Sequence, residues 1–325
     1  MRLTVVIINY KVRDLLLQCL DSVYRNRVDF AMEVVVVDNH SLDGSREAVA
    51  RHFPEARYVE LPENAGFARA CNVALRASRA DYALLLNPDT LLPEDTLARA
   101  VAFAERAERF GALGVRMIDT QGRFLPESKR NRPTLWNAFV KMSGLGRLTG
   151  RNPYYRQEVD DRAAGEAPVL SGAFMLLNRK ALGDTCLLDE DFFMYGEDID
   201  LSVRILEAGY RNYYLPIEIL HYKGESARQD KPAYIRNFYN AMDVYYRKHY
   251  RRGGWAVALA MRLLRGTHLA LAGLPFHGGR PAGGGELTLD ASRTRYSDLL
   301  REVEARGAGR RLRVLHPDLG METVY

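Results

Sequence analysis

The stretch Leu3-Thr4-Val5-Val6-Ile7-Ile8 decides the fold. It is short, continuously apolar and rich in β-branched residues, as expected of a strand buried on both faces. Glu33–Val37 (EVVVV) and Tyr82–Leu86 (YALLL) share that character. Around these runs the spacing predicts helices over Val12–Tyr24, Gly44–His52, Phe67–Ser78 and Glu94–Arg109, and strands at Tyr58–Leu61 and Leu113–Met117. Such alternation implies βαβ units, a mostly parallel central sheet flanked by helices, and ligands beyond the carboxyl ends of the strands. Farther on, residues 120–165 read as irregular and Val169–Leu177 as a return to the sheet. Ile199–Ala208 reads as helix, Tyr210–Leu215 as strand and Tyr234–Tyr250 as a long Tyr-rich helix.

The 325 residues carry 46 Lys+Arg and 41 Asp+Glu. Residues 251–325 hold 12 of the former and 7 of the latter, so the whole +5 lies there and residues 1–250 balance at 34 each. A body without net charge is not built to grip nucleic acid. Cys19, Cys71 and Cys186 are widely spaced and form no zinc pattern, which fits reduced thiols in a cytoplasmic protein. Trp255–Phe276 is apolar but interrupted by Arg262, Arg265 and His268, so it is no bilayer span. It reads either as a helix at an anionic membrane surface or as one packed on the body. Gly278–Gly285 is a flexible linker, and Asp290–Arg313 is expected to be a charged helical tail with little core of its own.

Six clusters carry candidate chemistry. Asn9-Tyr10-Lys11 follows the first strand, where the Tyr10 ring would stack on a nucleobase. Asp38 and Asn39 follow the second, placed to hydrogen-bond a pyrimidine, while Ser41, Asp43 and Ser45 supply helix caps. In Asn64-Ala65-Gly66-Phe67-Ala68-Arg69, Gly66 turns the chain into a helix, and Arg69 and Asn72 share a face near its N-terminus, suited to a diphosphate. Asn87-Pro88-Asp89 projects a carboxylate past the YALLL strand, where a hard divalent cation shared with substrate phosphates would sit. Glu197, Asp198 and Asp200 open a helix; capping explains one or two, and a desolvated carboxylate there makes a general base. His221, after the Tyr210–Leu215 strand, is either structural or a second metal ligand.

Together IINYK (7–11), VVVDNHSLDGS (35–45), NAGFARACN (64–72), LLLNPDT (84–90), SGAFMLLNRKAL (171–182), FFMYGEDIDLSVRILEAGY (192–210) and His221 resemble the family 2 glycosyltransferases, especially their rhamnosyltransferase-like branch. The resemblance implies a GT-A fold over residues 1–250, with a C-terminal helical extension split into 251–277 and 278–325. It implies that Asn9, Tyr10, Asp38, Asn39, Asp43, Asn64, Gly66, Arg69, Asn87 and Asp89 line the nucleotide-sugar pocket. Asn87-Pro88-Asp89 stands in the place of the family's DxD metal motif, with Asn87 replacing its first Asp. Asp89 is then the principal ligand of Mg2+ or Mn2+, and His221 a second ligand or a diphosphate contact. Ser171, Gly172 and Ala173 line the acceptor side. The base is assigned to Asp198, with Glu197 its rival.

The activity so implied is inverting transfer of a sugar from a dTDP-, UDP- or GDP-linked donor to a hydroxyl of a glycan or lipid-linked acceptor, in cell-surface polysaccharide synthesis. The protein would be cytoplasmic or peripheral at the inner face of the membrane. A sugar-1-phosphate nucleotidyltransferase is the first rival, but strand one ends without the Gly-rich loop such enzymes carry. The second is a non-catalytic nucleotide-sugar-binding protein, which would not need the acids at 89, 197 and 198.

Overall fold

A computed structural model describes residues 1–134, 137, 152–156, 160–222, 231–250 and 285–325. The elements run β1 (Leu3–Asn9), α1 (Arg13–Tyr24), β2 (Met32–Asp38), α2 (Ser45–His52), β3 (Arg57–Glu60), α3 (Phe67–Ala77), β4 (Tyr82–Leu86) and β5 (Thr90–Leu91). Next come α4 (Thr96–Ala104), β6 (Phe110–Ile118), β7 (Gly165–Glu166), β8 (Phe174–Leu177), α5 (Arg179–Leu182), α6 (Glu197–Glu207), β9 (Arg211–His221) and α7 (Lys231–His249). The last are β10 (Glu286–Asp290), α8 (Tyr296–Arg306), β11 (Arg311–His316) and β12 (Met321–Val324).

The nine-stranded sheet has the order β3-β2-β1-β4-β8-β6-β9-β5, with β7 on β9. β3, β2, β1 and β4 are mutually parallel, and β8 runs antiparallel to β4 and β6. The unbroken apolar runs have the expected consequence. Leu3, Val5, Ile7, Val34, Val36, Leu84 and Leu86 enter one core with Leu16, Leu20, Leu97 and Val101 of α1 and α4. Their alternates Val6, Ile8, Val35, Val37, Ala83 and Leu85 enter a second with α3 and α6. A side chain on either face therefore leaves water, as a two-sided sheet requires.

The expected Val169–Leu177 strand is shorter. Only Phe174–Leu177 pairs in the sheet, while Val169 bridges Arg130 and Leu170 N–H donates to Ser202 Oγ. The expected strand at Tyr210–Leu215 runs on to His221, because β6 and β5 pair with its far half.

Residues 285–325 differ from the charged helical tail. β10 and β11 pair in parallel, β12 pairs antiparallel to β11, and the helix is confined to Tyr296–Arg306 and a 3-10 turn at Pro317–Leu319. The cause is a period of two in Leu287/Leu289 and Leu312/Val314, whose charged alternates face outward and mask the pattern in composition. Tyr296, Leu299, Val303, Leu312 and Val314 are fully buried with Leu91, Leu220 and Tyr222 of the main body. Polar contacts fix the docking. Tyr296 hydroxyl donates to the Asp21 carboxylate, Arg25 Nη1 donates to Ala291 O at 2.6 Å, and Arg116 pairs with Glu304 at 3.3 Å. The segment 251–277 and its membrane-surface reading lie outside the described residues, as do residues 278–284 of the linker.

Candidate active site

The carboxyl ends of β1, β2 and β4 lie at one edge of the sheet, because Asn9 pairs with Asp38 and Ile7 with Leu86 in register. β8 runs the other way, so its N-terminal side, residues 171–173, meets that same edge. Two consecutive residues there join two of the clusters. Asn87 N–H donates to Ala173 O at 3.0 Å, and Gly172 N–H donates to Asp198 Oδ2 at 3.1 Å. A Cβ on Gly172 would stand 3.3 Å from the Asp198 Cβ.

Asp89 and His221 come together as the two halves of one bridge. Thr90 pairs with His221, and Tyr222 N–H donates to Asp89 O at 2.9 Å. This brings Asp89 Oδ1 to 3.4 Å from His221 Nε2, both side chains being largely buried. His221 Nδ1 is buried without a hydrogen-bond partner. One carboxylate oxygen and one imidazole nitrogen fit a divalent cation that completes its shell with substrate phosphate and water. Among the described residues no group of three or more His, Cys, Asp or Glu forms a metal cluster. A cation at this pair would therefore need ligands from the donor.

The three acids of α6 separate by environment. The left-handed Gly196 (φ 83°) starts the helix and puts all three in its first turn. Asp200 is buried, with His249 Nε2 at 2.8 Å and Arg204 Nε at 2.7 Å. Burial alone would raise its carboxyl, but these partners outweigh burial and hold it below the usual range, so it ties α6 to α7. Asp198 Oδ2 accepts from the buried Arg130 guanidinium at 2.6 Å. Burial opposes the charge on Arg130, yet Asp198 more than offsets it and the arginine pKa lies above its ordinary value. Glu197 is buried, its Oε2 has no hydrogen-bond partner, and burial followed by the Asp198 charge pushes its pKa up to about 8. Adjacent carboxyls with opposed environments divide the labour: one is paired with a guanidinium, the other is neutral near pH 7.

That neutrality has a thermodynamic signature. Between pH 4.5 and about 8 Glu197 is protonated in the fold and ionised in the unfolded chain, so its contribution to stability falls as pH rises through that window. Glu197→Gln is expected to melt like the wild type near pH 4 and a few degrees higher at pH 8. Identical melting curves at both pH values would rule out a neutral Glu197.

Several expected ligand-binding residues are used by the protein itself. Asn9 is fully buried, its Nδ2 2.7 Å from Asp38 Oδ1, 3.0 Å from Ser41 Oγ and 2.9 Å from Ser45 Oγ, so it acts through the loop and not by touching a ligand. Asp43 caps two helices, accepting from Arg13 N–H at 3.2 Å and Ser45 N–H at 3.1 Å. Asn72, expected beside Arg69, is instead locked to Leu188 and Glu190 of the opposite loop. Asp38 Oδ2 accepts from Ser41 N–H, and Asn39 Nδ2 donates to Asn64 Oδ1 at 2.8 Å. Tyr10 stays half-buried beside Lys11, whose left-handed φ of 57° recurs at His40 and Leu42 in the neighbouring loop. Arg69 is 62% exposed and 3.7 Å from Glu190.

Gly66 fixes the α3 entrance. Its φ is 82° and ψ 168°, and a Cβ there would stand 2.5 Å from Phe193 O. Gly66→Ala is expected to cost about 2–3 kcal/mol, read as a lowered Tm, because both backbone and space forbid the methyl. An unchanged Tm would contradict this packing. Two residues escaped sequence reasoning. Arg130 gave no signal, as one of three basic residues, with Lys129 and Arg132, in an irregular stretch. Tyr195 sits inside a quoted motif, and its φ of 70° is visible only in three dimensions. Burial, then Tyr234, Glu197 and Asp89, push its hydroxyl up to about 12.

The profile of the family described as Glycosyl transferase family 2 matches residues 4–185. The chain is 30% identical over 251 residues to N-acetylglucosaminyl-diphospho-decaprenol L-rhamnosyltransferase of Mycobacterium tuberculosis, covering 73% of this chain and 80% of that protein. It is 26% identical to Rhamnosyltransferase WbbL of Escherichia coli K12, covering 67% and 82%. The solved mannosyltransferase PcManGT of Pyrobaculum calidifontis, in complex with GDP-Man and Mn2+, superposes with a TM-score of 0.53 at 23% identity over 95% of this chain and 84% of that one. The mostly parallel central sheet flanked by helices is that of the GT-A fold. With the profile spanning more than half of its length, the chain belongs to family 2 of the glycosyltransferases.

Proposed function

We propose that this glycosyltransferase moves an L-rhamnosyl group from dTDP-rhamnose to a hydroxyl of an N-acetylglucosaminyl-diphospho-lipid, inverting the anomeric centre. The observation that supports the chemistry is the join at residues 172–173, which tethers the Asn87-Pro88-Asp89 turn to Asp198 through adjacent backbone groups. The relatives named rhamnosyltransferases support the sugar that is moved, and the N-acetylglucosaminyl-diphospho-decaprenol in the name of one supports the acceptor.

In this reading the base stacks beside Tyr10 and meets Asp38 and Asn39, and Arg69 and Asn64 lie along the diphosphate. Asp89 and His221 would hold Mg2+ or Mn2+. When bound, the cation neutralises charge on the departing diphosphate. Asp198 takes the proton from the acceptor hydroxyl; Arg130 and Gly172 N–H fix one of its oxygens, and the other accepts from Ile199 N–H at 2.8 Å and keeps a lone pair for that proton. Glu197, neutral at pH 7, keeps a second negative charge away from the base. The acceptor oxygen attacks the sugar from the side opposite the diphosphate, and a single displacement inverts it. No covalent intermediate is needed.

A lipid-linked acceptor places the reaction at a membrane surface. Among the described residues no helix is long and apolar enough to cross a membrane. We place the protein at the inner face of the membrane, on the cytoplasmic side, because its proposed acceptor is lipid-linked, and propose the apolar, arginine-bearing sequence of residues 251–277, which lies outside the described residues, as its contact with anionic lipid. The test incubates the protein with dTDP-rhamnose, Mn2+ and an N-acetylglucosaminyl-diphospho-lipid and follows product by mass. Gain of one deoxyhexose supports the proposal. Transfer only from UDP- or GDP-sugars would overturn the donor, and no transfer from any donor would overturn the function.

A further inference from the structure

Just before the acidic pair the chain does something costly. Tyr195 adopts a left-handed φ of 70°, followed by Gly196 at 83°, a kink that a residue with a side chain keeps only under constraint. The kink presents the Tyr195 ring to Tyr234 of α7, edge to face at 5.3 Å, and Tyr234 stacks on Phe238 at 6.3 Å. Tyr234 is nonetheless 42% exposed, and Phe193, two residues before Tyr195, is 48% exposed. The Phe193 main chain is anchored, its carbonyl accepting from Phe67 N–H at 2.7 Å. Tyr195 and Phe238 pack on the core formed by Phe192, Ile199 and Tyr239, yet the rings of Tyr234 and Phe193 beside them stay exposed next to the turn that leads into Glu197.

We propose that Tyr195 and Tyr234 form the subsite for the pyranose ring of the acceptor, the exposed face of Tyr234 stacking on its C–H face while Tyr195, set at 73° to it, meets the ring's hydroxyl edge. The inference deepens the glycosyl-transfer reading and rests on it. A sugar ring fits better than a lipid tail for a chemical reason. Tyrosine offers an apolar face and a polar rim, as a pyranose does, whereas an acyl or prenyl chain calls for aliphatic side chains. The exposed large hydrophobics of the described residues are Met1, Leu42, Val73, Phe193, Tyr234 and Val324, and the pair beside α6 is aromatic. Position supports the assignment too. Tyr195 stands two residues from Glu197 and three from Asp198, so a ring stacked there carries its hydroxyl to the carboxylates.

The test is steady-state kinetics of the full chain with dTDP-rhamnose and a short-chain N-acetylglucosaminyl-diphospho-lipid. Tyr234→Ala and Tyr195→Ala are expected to raise the acceptor KM about tenfold or more and leave the donor KM within about twofold; about tenfold corresponds to ~1.4 kcal/mol of lost binding. Tyr234→Trp is expected to restore it. An unchanged acceptor KM, or donor and acceptor KM rising together, overturns the subsite. Saturation-transfer NMR with methyl N-acetylglucosaminide decides independently of turnover. Ring-proton signals lost in Tyr234→Ala and kept in Tyr234→Phe support the subsite even if no rhamnosyl transfer is found. Signals equal in all three proteins, or absent from the wild type, overturn it. Weaker pelleting of Tyr234→Ala with phosphatidylglycerol vesicles would also overturn it, in favour of lipid.

Discussion

Asp198→Asn is expected to abolish sugar transfer, by about 10^3-fold or more, while calorimetry finds the nucleotide-sugar bound as tightly as by the wild type. General-base catalysis is worth about 10^2–10^4 in rate, and an amide accepts no proton. The variant also tests the division of roles within α6. The introduced amide would still accept from Gly172 N–H through its oxygen, but it offers the buried Arg130 no counter-charge. Breaking a buried pair leaves an uncompensated charge that costs about 3–5 kcal/mol. A lowered Tm is therefore expected in Asp198→Asn, with partial recovery in the double variant Arg130→Met, Asp198→Asn. Turnover near the wild-type rate would remove Asp198 from the chemistry. Loss of donor binding along with turnover would make it a structural residue.

Asp89→Ala is expected to act on the donor side. Even second-sphere partners of metal ligands typically cost about 10–100-fold in metal affinity, so loss of the carboxylate itself should weaken Mn2+-dependent donor binding by about 100-fold or more. His221→Ala is expected to weaken it less, because carboxylate is the preferred ligand of a hard cation. The thermal shift given by nucleotide-sugar with Mn2+ should vanish in Asp89→Ala and survive in Asp198→Asn. Equal metal-dependent binding in wild type and Asp89→Ala would show that the cation, if used, sits elsewhere.

Much of this fold is legible in residue order because its strands are covered on both sides. Leu3–Ile8, Glu33–Val37 and Tyr82–Leu86 have no exposed alternates to dilute the signal, and each lies within a strand. The same logic explains the misread tail. In β10 and β11 only every second residue is buried, so Glu286, Arg311 and Arg313 dominate the composition while Leu287, Leu312 and Val314 do the packing. Asp89 and His221 stand out in the sequence as a lone carboxylate and a lone imidazole near the ends of buried runs, and the structure brings them to 3.4 Å of each other. The site was not legible where a polar side chain serves its own loop. Nothing local distinguishes the helix-capping Asp43 or the loop-stitching Asn9 from a ligand contact, since that depends on hydrogen-bond partners up to 36 residues away. Arg130 is the extreme case, meeting Asp198 across 68 residues from a stretch without periodicity.

The most direct measurement is a crystal structure with Mn2+ and the donor's nucleoside diphosphate, with data at the manganese absorption edge. The expected result is one anomalous peak between Asp89 and His221, bridged to the diphosphate, with Asp198 on the open side of the sugar position and still paired with Arg130. A peak away from Asp89, or a nucleotide bound where Asp198 cannot approach the sugar, would contradict a shared crevice for donor and base.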